Sequence, residues 1–398
     1  MATSSGAAAI GQSAAATVRT GALALALLSF GHFFIDLYSA ALSALQPRLA
    51  THLGLSLTQA GILGGLMVFA SSVLQPLYGI LSDRFHTRMF TVLSPAVAGV
   101  FISSLGLAPS YGWLLALVFL GGSGVAAFHP QASARVTMGV AESRARWMAV
   151  FISTGTLGMA IGPAFFSLVP NWLGFERTHW AAVPGILCSA LLWAYLPEVP
   201  RPEKRIRFEL APLRAVQRPL TILYFCVFIR SIVQVTFTQL LPLYLSREQH
   251  LPVAQANYVL SLYLAFGAIG GIVGGSLADR IGGRRVIMLS FVFSVPFLVL
   301  FFTASGWLSF AGLWIGGLIL LFTIPVNVVM AQELAPTQAS TVSALMMGFS
   351  WGMSGLIFVP LTGWLSESLS MRLVMLGLST LPLAGFFLAR MLPEPRRA

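Results

Sequence analysis

Asp36 is the only Asp, Glu, Lys or Arg between Arg19 and Arg48, and the residues around it are apolar. A carboxylate inside such a stretch is costly and marks a functional candidate by default. His32, Asp36, Ser39 and Ser43 recur at i, i+4, i+7 and i+11, which places them on one face of a helix. A polar stripe of that kind has to look into a cavity rather than into lipid, and within it Asp36 can carry a proton, with His32 orienting it or sharing the task. Arg230, Gln234 and Thr238 form a second stripe at four-residue spacing in residues 219–246. A guanidinium there suits a carboxylate or phosphonate. His129, Gln131 and Asn327 add polar groups to two further apolar stretches, and Pro130 kinks its helix by freeing a backbone carbonyl. Gln131 and Arg135 lie four apart, and Glu333 falls at the boundary of its stretch. Structural readings stand beside these: Asp36 as a hydrogen bond between helices, His129 as a packed ring at a kink, Arg135 as a snorkelling side chain.

The elements that hold these residues follow from composition. The chain has 398 residues, 57% hydrophobic and only 9% charged, with a mean hydropathy of +0.84; a soluble domain would carry about 25% charge. This is a membrane protein. A crossing needs about 20 apolar residues, and charge-poor stretches supply twelve: 20–47, 49–82, two within 89–134 (broken at Pro109-Ser110-Tyr111-Gly112), 147–175, 178–197, 219–246, 249–278, two within 286–332 (broken near Ser305-Gly306), 334–366 and 373–389. The expected architecture is all-α, with a cytoplasmic tail at 1–19, a six-helix bundle at 20–197, a linker at 198–218, a second six-helix bundle at 219–392 and a tail at 393–398. Residues 1–18 carry no charge and read as a disordered tail, or less well as a cleaved signal peptide.

Lys and Arg concentrate in short cytoplasmic loops. With both termini cytoplasmic, Arg19, Arg84, Arg88, Arg144, Arg146, the linker, Arg280, Arg284, Arg285, Arg396 and Arg397 fall on the inner side, and only Arg48, Arg177, Arg247 and Arg372 outside. The net charge of +11 is thus spread over loops and does not form a nucleic-acid patch. Cys188 and Cys226, the only cysteines, lie in apolar runs, which excludes a disulfide framework.

The two halves repeat. Gly79-Ile80-Leu81-Ser82-Asp83-Arg84, continuing to Arg88, and Gly275-Ser276-Leu277-Ala278-Asp279-Arg280, continuing to Arg284, stand 196 residues apart, with Pro47 and Pro242 offset by 195 and Gly158 to Pro163 offset by 197 from Gly355 to Pro360. Parallel repeats are one of the recurrent transporter plans. The duplicated G-x-L-x-D-R-x-x-x-R element resembles the loop signature of the major facilitator superfamily. Gly31-His32-Phe33-Phe34-Ile35-Asp36, Ser71-Ser72-Val73-Leu74-Gln75-Pro76, Gly122 through Phe128-His129-Pro130 and Ala331-Gln332-Glu333-Leu334-Ala335-Pro336 resemble its fosmidomycin-resistance branch. Gly158-x-x-x-Gly162-Pro163 is similar to the superfamily's antiporter signature, although Phe165-Phe166-Ser167 follows where more glycine is usual. Gln131 stands where members often carry Glu, and the run from Leu117 to Ser123 lacks the intramembrane Arg of many drug-proton members.

The resemblance implies a bacterial inner-membrane exporter that exchanges a small drug or metabolite for protons by alternating access, with Gly79, Asp83, Arg84, Arg88, Gly275, Asp279 and Arg280 in the gating loops. The expected partners are a small-molecule substrate, protons and the lipid bilayer, with no nucleic acid, no cofactor and no metal, in a monomer. A proton-coupled importer of a small organic anion is the alternative that Arg230 suggests. Two enzyme readings are remote: Gly121-Gly122-Ser123-Gly124 matches the short motif of intramembrane serine proteases, and His32-x-x-x-Asp36 that of an acyl transferase, and neither accounts for a duplicated chain. A receptor would need a soluble output domain, for which the twelve stretches leave no room.

Overall fold

In hydrocarbon every backbone N–H and C=O must be satisfied internally, and this chain does so with helices. The computed structural model describes residues 4–85, 87–136, 144–197 and 211–393, and no strand occurs among them. The helices are α1 (Gly21–Leu53), α2 (Leu57–Ser82), α3 (Met89–Leu107), α4 (Tyr111–Val136) and α5 (Arg146–Leu173), then α6 (Val183–Tyr195). They continue as α7 (Gln217–Arg247), α8 (Val253–Ile281), α9 (Gly283–Thr303), α10 (Gly306–Leu334), α11 (Thr341–Ser368) and α12 (Met371–Ala389).

Eleven of these are long and apolar enough to cross a membrane. The other, α6, has 13 residues and is entered directly from a 3₁₀ segment, Phe175–Ala182, so the stretch expected as a sixth span is helical but of mixed type. Breaks fall where the sequence placed them, between Leu107 and Tyr111 and between Thr303 and Gly306. The helical backbone that leads into α1 begins at Ser4. Most of the linker, residues 198–210, lies outside the described residues, as do residues 394–398 and the side chain of Asp83.

Without a hydrophobic drive between helices in lipid, small residues set the close contacts. A Cβ on Gly61 of α2 would sit 2.6 Å from the Val359 carbonyl oxygen of α11, and one on Gly65 would sit 3.0 Å from that of Gly355. The α2–α11 seam therefore joins the first part of the chain to the second. Hydrogen bonds reinforce the joint at the end that carries Arg48, Arg177, Arg247 and Arg372. Arg247 Nη2 donates to the Leu55 carbonyl at 3.0 Å, and Thr58 N donates to Glu367 Oε1 at 3.0 Å. In the same half of the molecule Asn257 Nδ2 donates to the Ala44 carbonyl at 3.2 Å, and Ala164 N donates to Ser261 Oγ at 3.1 Å. Trp113, Trp172, Trp180, Trp307 and Trp364 are exposed at this end, the position that interfacial aromatics favour.

Candidate functional site

α1 is interrupted at Ala40, one turn after Asp36. Asp36, 7% exposed, has two ionisable neighbours: His32 Nε2 lies 3.3 Å from Oδ2 and His129 Nε2 lies 3.6 Å from Oδ1. His129 reaches it from α4 just before Pro130. α5 supplies the third wall. His32 Nδ1 lies 2.7 Å from the Phe151 carbonyl oxygen, and the two rings stack at 4.1 Å and 22°. Gly155 leaves the space the pair occupies, since a Cβ there would fall 2.6 Å from Asp36 Oδ2. Gly158 and Gly162 continue that face, against the Phe33 and Leu37 carbonyls of α1, and Pro163 is buried beside them. Sequence reasoning found Gly158, Gly162 and Pro163 but missed Gly155 and Phe151. The i, i+3, i+7 spacing of the three glycines was the available signal.

The geometry constrains the protons. A carbonyl oxygen only accepts, so His32 Nδ1 carries hydrogen. The contact between Nε2 and Asp36 Oδ2 then requires a second proton, either on the ring with Asp36 ionised or on Asp36 with the ring neutral. The pair holds one transferable proton between two atoms, with His129 on the other oxygen. The three ligand atoms lie within 4.8 Å of one another, a spacing that a divalent cation can bridge as well as a proton.

Arg230 occupies a separate environment. It is 3% exposed, donates from Nη1 to Gln234 Oε1 and lies with Cζ 5.6 Å from the Trp351 ring centroid. Its Nε has no hydrogen-bond partner, and neither polar atom of the Asn327 side chain has one. No ion pair joins Arg230 to Asp36 among the described residues. Thr238 is buried with its hydroxyl unpartnered. Gln131 is drawn elsewhere: its Nε2 donates to Ser82 Oγ at 2.6 Å and to the Thr87 carbonyl at 2.7 Å, and its Oε1 accepts from Thr91. It fastens the α2–α3 loop to α4. Glu333 is exposed at the end of α10.

The duplicated loops retain their symmetry as contacts. Gly79 faces Pro130 at a Cβ distance of 3.6 Å, and Gly275 faces Pro325 at the same distance. Arg88 donates to the Leu196 carbonyl beyond α6, and Arg284 Nη2 donates to the Arg390 carbonyl beyond α12 at 2.6 Å. Cations at such carbonyls offset the negative end of a helix. Arg84, Asp279 and Arg280 are exposed.

The sequence profile described as Major Facilitator Superfamily matches residues 28–246 and again 223–398. The chain is 29% identical over 383 residues to the uncharacterized MFS-type transporter YfnC of Bacillus subtilis, covering 94% of this chain and 93% of that protein. It is 27% identical over 381 residues to the fosmidomycin resistance protein of Escherichia coli, covering 94% and 93%. Among solved structures, a bacterial homologue of the human lysosomal transporter Spinster, in an inward-facing and occupied conformation, superposes with a TM-score of 0.81 at 16% identity, covering 92% and 96% of the two chains.

Proposed function

The chain belongs to the Major Facilitator Superfamily, and on that footing we propose that it is a proton-coupled exporter of a small drug or metabolite, working by alternating access. The resistance named for the Escherichia coli relative supports export. The observation that carries proton coupling is the buried Asp36 held between two imidazoles. A carboxylate in that setting accepts a proton from one side and releases it to the other when the helices around it rearrange, and α5, which packs on α1 through Gly155, Gly158 and Gly162, is the element whose movement changes its surroundings.

In this reading twelve spans form two six-helix bundles, 20–197 and 219–392, in the bacterial inner membrane, with both termini cytoplasmic and the chain monomeric. The end joined by Arg247, Glu367 and Thr58 is then the outer one. The state is closed outside, and the loops with Gly79, Asp83, Arg84, Arg88, Gly275, Asp279 and Arg280 guard the inner entrance. His32 and Asp36 handle the proton. Arg230, Gln234, His129 and Asn327 face substrate, while Gln131 serves them by holding α4 in place.

The test is uptake into everted vesicles with an acid interior, screened across phosphonates, dyes and organic acids. Uptake that needs the gradient and collapses with a protonophore is expected; uptake indifferent to the gradient refutes coupling. Import of a small organic anion is the second reading, favoured by Arg230, which has no acidic partner among the described residues.

A further inference from the structure

We propose that the C-terminal half contains a dedicated oxyanion site, centred on Arg230 and Asn327, that binds the acidic group of an organic substrate; this rests on the transport reading and names its substrate class. Two irregular helices meet there. α10 is interrupted at Leu321-Phe322, and its second part, Thr323–Leu334, has Pro325 where an N–H would have continued the ladder. α11 contains a π-turn at Leu345–Phe349, a distortion frequent at functional sites. Between these elements and α7 lies a small cavity lined by Val227, Arg230, Ile324, Asn327, Met346 and Trp351, among others.

The internal repeat adds an independent argument. Val227 and Ile324 stand 195 residues after His32 and His129, the two imidazoles beside Asp36. The cavity is therefore the repeat mate of the proton site. One half keeps an acid between two imidazoles, and the other keeps a cation with no acidic partner among the described residues.

The polar groups lack partners in a way a ligand would correct. Arg230, 3% exposed, has an unpartnered Nε; Asn327, 1% exposed, has an unpartnered donor and an unpartnered acceptor. A buried cation without a counterion is destabilising, and so is each buried polar atom without a hydrogen bond. A guanidinium fork pairs with a carboxylate or phosphonate, and the Asn327 carbonyl calls for a hydroxyl or N–H next to that acid. The free space is about 10 Å³, enough for one water at most, so binding displaces the flexible Met346 side chain.

Mandelate, an acid with a neighbouring hydroxyl, is the probe, with uncharged mandelamide, phenylacetate and inorganic phosphate as controls. The melting midpoint of the full-length protein in detergent is read against concentration. Mandelate is expected to raise it saturably, mandelamide to leave it unchanged, and Asn327→Ala to weaken mandelate about tenfold while sparing phenylacetate. Arg230→Met should abolish the mandelate shift, and its unliganded midpoint should equal or exceed that of the parent; Arg230→Lys, the milder variant, should keep part of the shift. Asp36→Asn should retain binding, which separates this site from the coupling reading. A mandelate shift that survives in Arg230→Met, a mandelamide shift of equal size, or inorganic phosphate acting as strongly as mandelate would overturn the proposal.

Discussion

Asp36→Asn preserves the shape of the side chain and removes its exchangeable proton. His32 Nδ1 still donates to the Phe151 carbonyl, so Nε2 of the neutral ring can accept from the Asn amide, and the stacking on Phe151 has no reason to change. His32 sheds its second proton in the variant, so no uncompensated charge is left buried and the melting midpoint should change little. The effect should therefore be confined to coupling. One carboxylate implies one proton per cycle. A gradient of two pH units stores about 2.7 kcal/mol per proton, from about 1.36 kcal/mol per unit, which sets a limit of about 100-fold accumulation for one-to-one exchange of a neutral substrate without a membrane potential. In acid-loaded everted vesicles the parent should approach that limit, and the variant should settle near unity while still exchanging labelled substrate downhill. Accumulation by Asp36→Asn beyond a few fold would move the coupling role to another group, with His129 the first to test.

Gly158→Ala forces a Cβ onto the Phe33 carbonyl; parting α5 from α1 should cost about 1–3 kcal/mol, seen as a lower melting midpoint and slower pH-driven uptake than in Gly377→Ala, where the added Cβ meets nothing. Arg88→Ala and Arg284→Ala each remove a cation from a chain end beyond a helix and should each lose about 0.3–1 kcal/mol in denaturant melts, by similar amounts if the repeat is functional as well as formal. EDTA should leave gradient-driven uptake unchanged, and loss of activity restored by a divalent cation would show that the His32, Asp36 and His129 cluster works as a metal site. With Cys188 and Cys226 replaced, Arg214→Cys should label only from the cytoplasmic side and Gln255→Cys only from outside; labelling of both from one side would undo the topology.

The order of the helices and eleven of the twelve expected crossings were legible because charges are expensive in hydrocarbon and the gaps between them measure the crossings. Interruptions inside a helix were less so. α2 is interrupted between Ser72 and Gln75; Pro76 follows that break and Pro325 the one in α10 and could have signalled them, whereas the break at Ala40 and the π-turn at Leu345–Phe349 contain no proline. They depend on packing against neighbours, which a single sequence does not display.

The site was legible as a set of residues but not as a set of contacts. The repeat offset of 195 places Asp36 opposite Ser231, so Arg230 stands one residue away from the mate of Asp36 and at nearly the same depth. Equal depth alone would let the two charges meet. A helix turns about 100° per residue, however, so a one-residue displacement points Arg230 toward Trp351 and Asn327, while Asp36 faces His32 and His129. Had Arg230 occupied position 231, the symmetric placement would have favoured an ion pair that neutralised both groups. Displaced by one, the acid keeps its two imidazole neighbours and the cation has no acidic partner among the described residues, the arrangement that the proposed exchanger would need if proton and anion are to occupy separate sites and still compete through the movement of the helices between them.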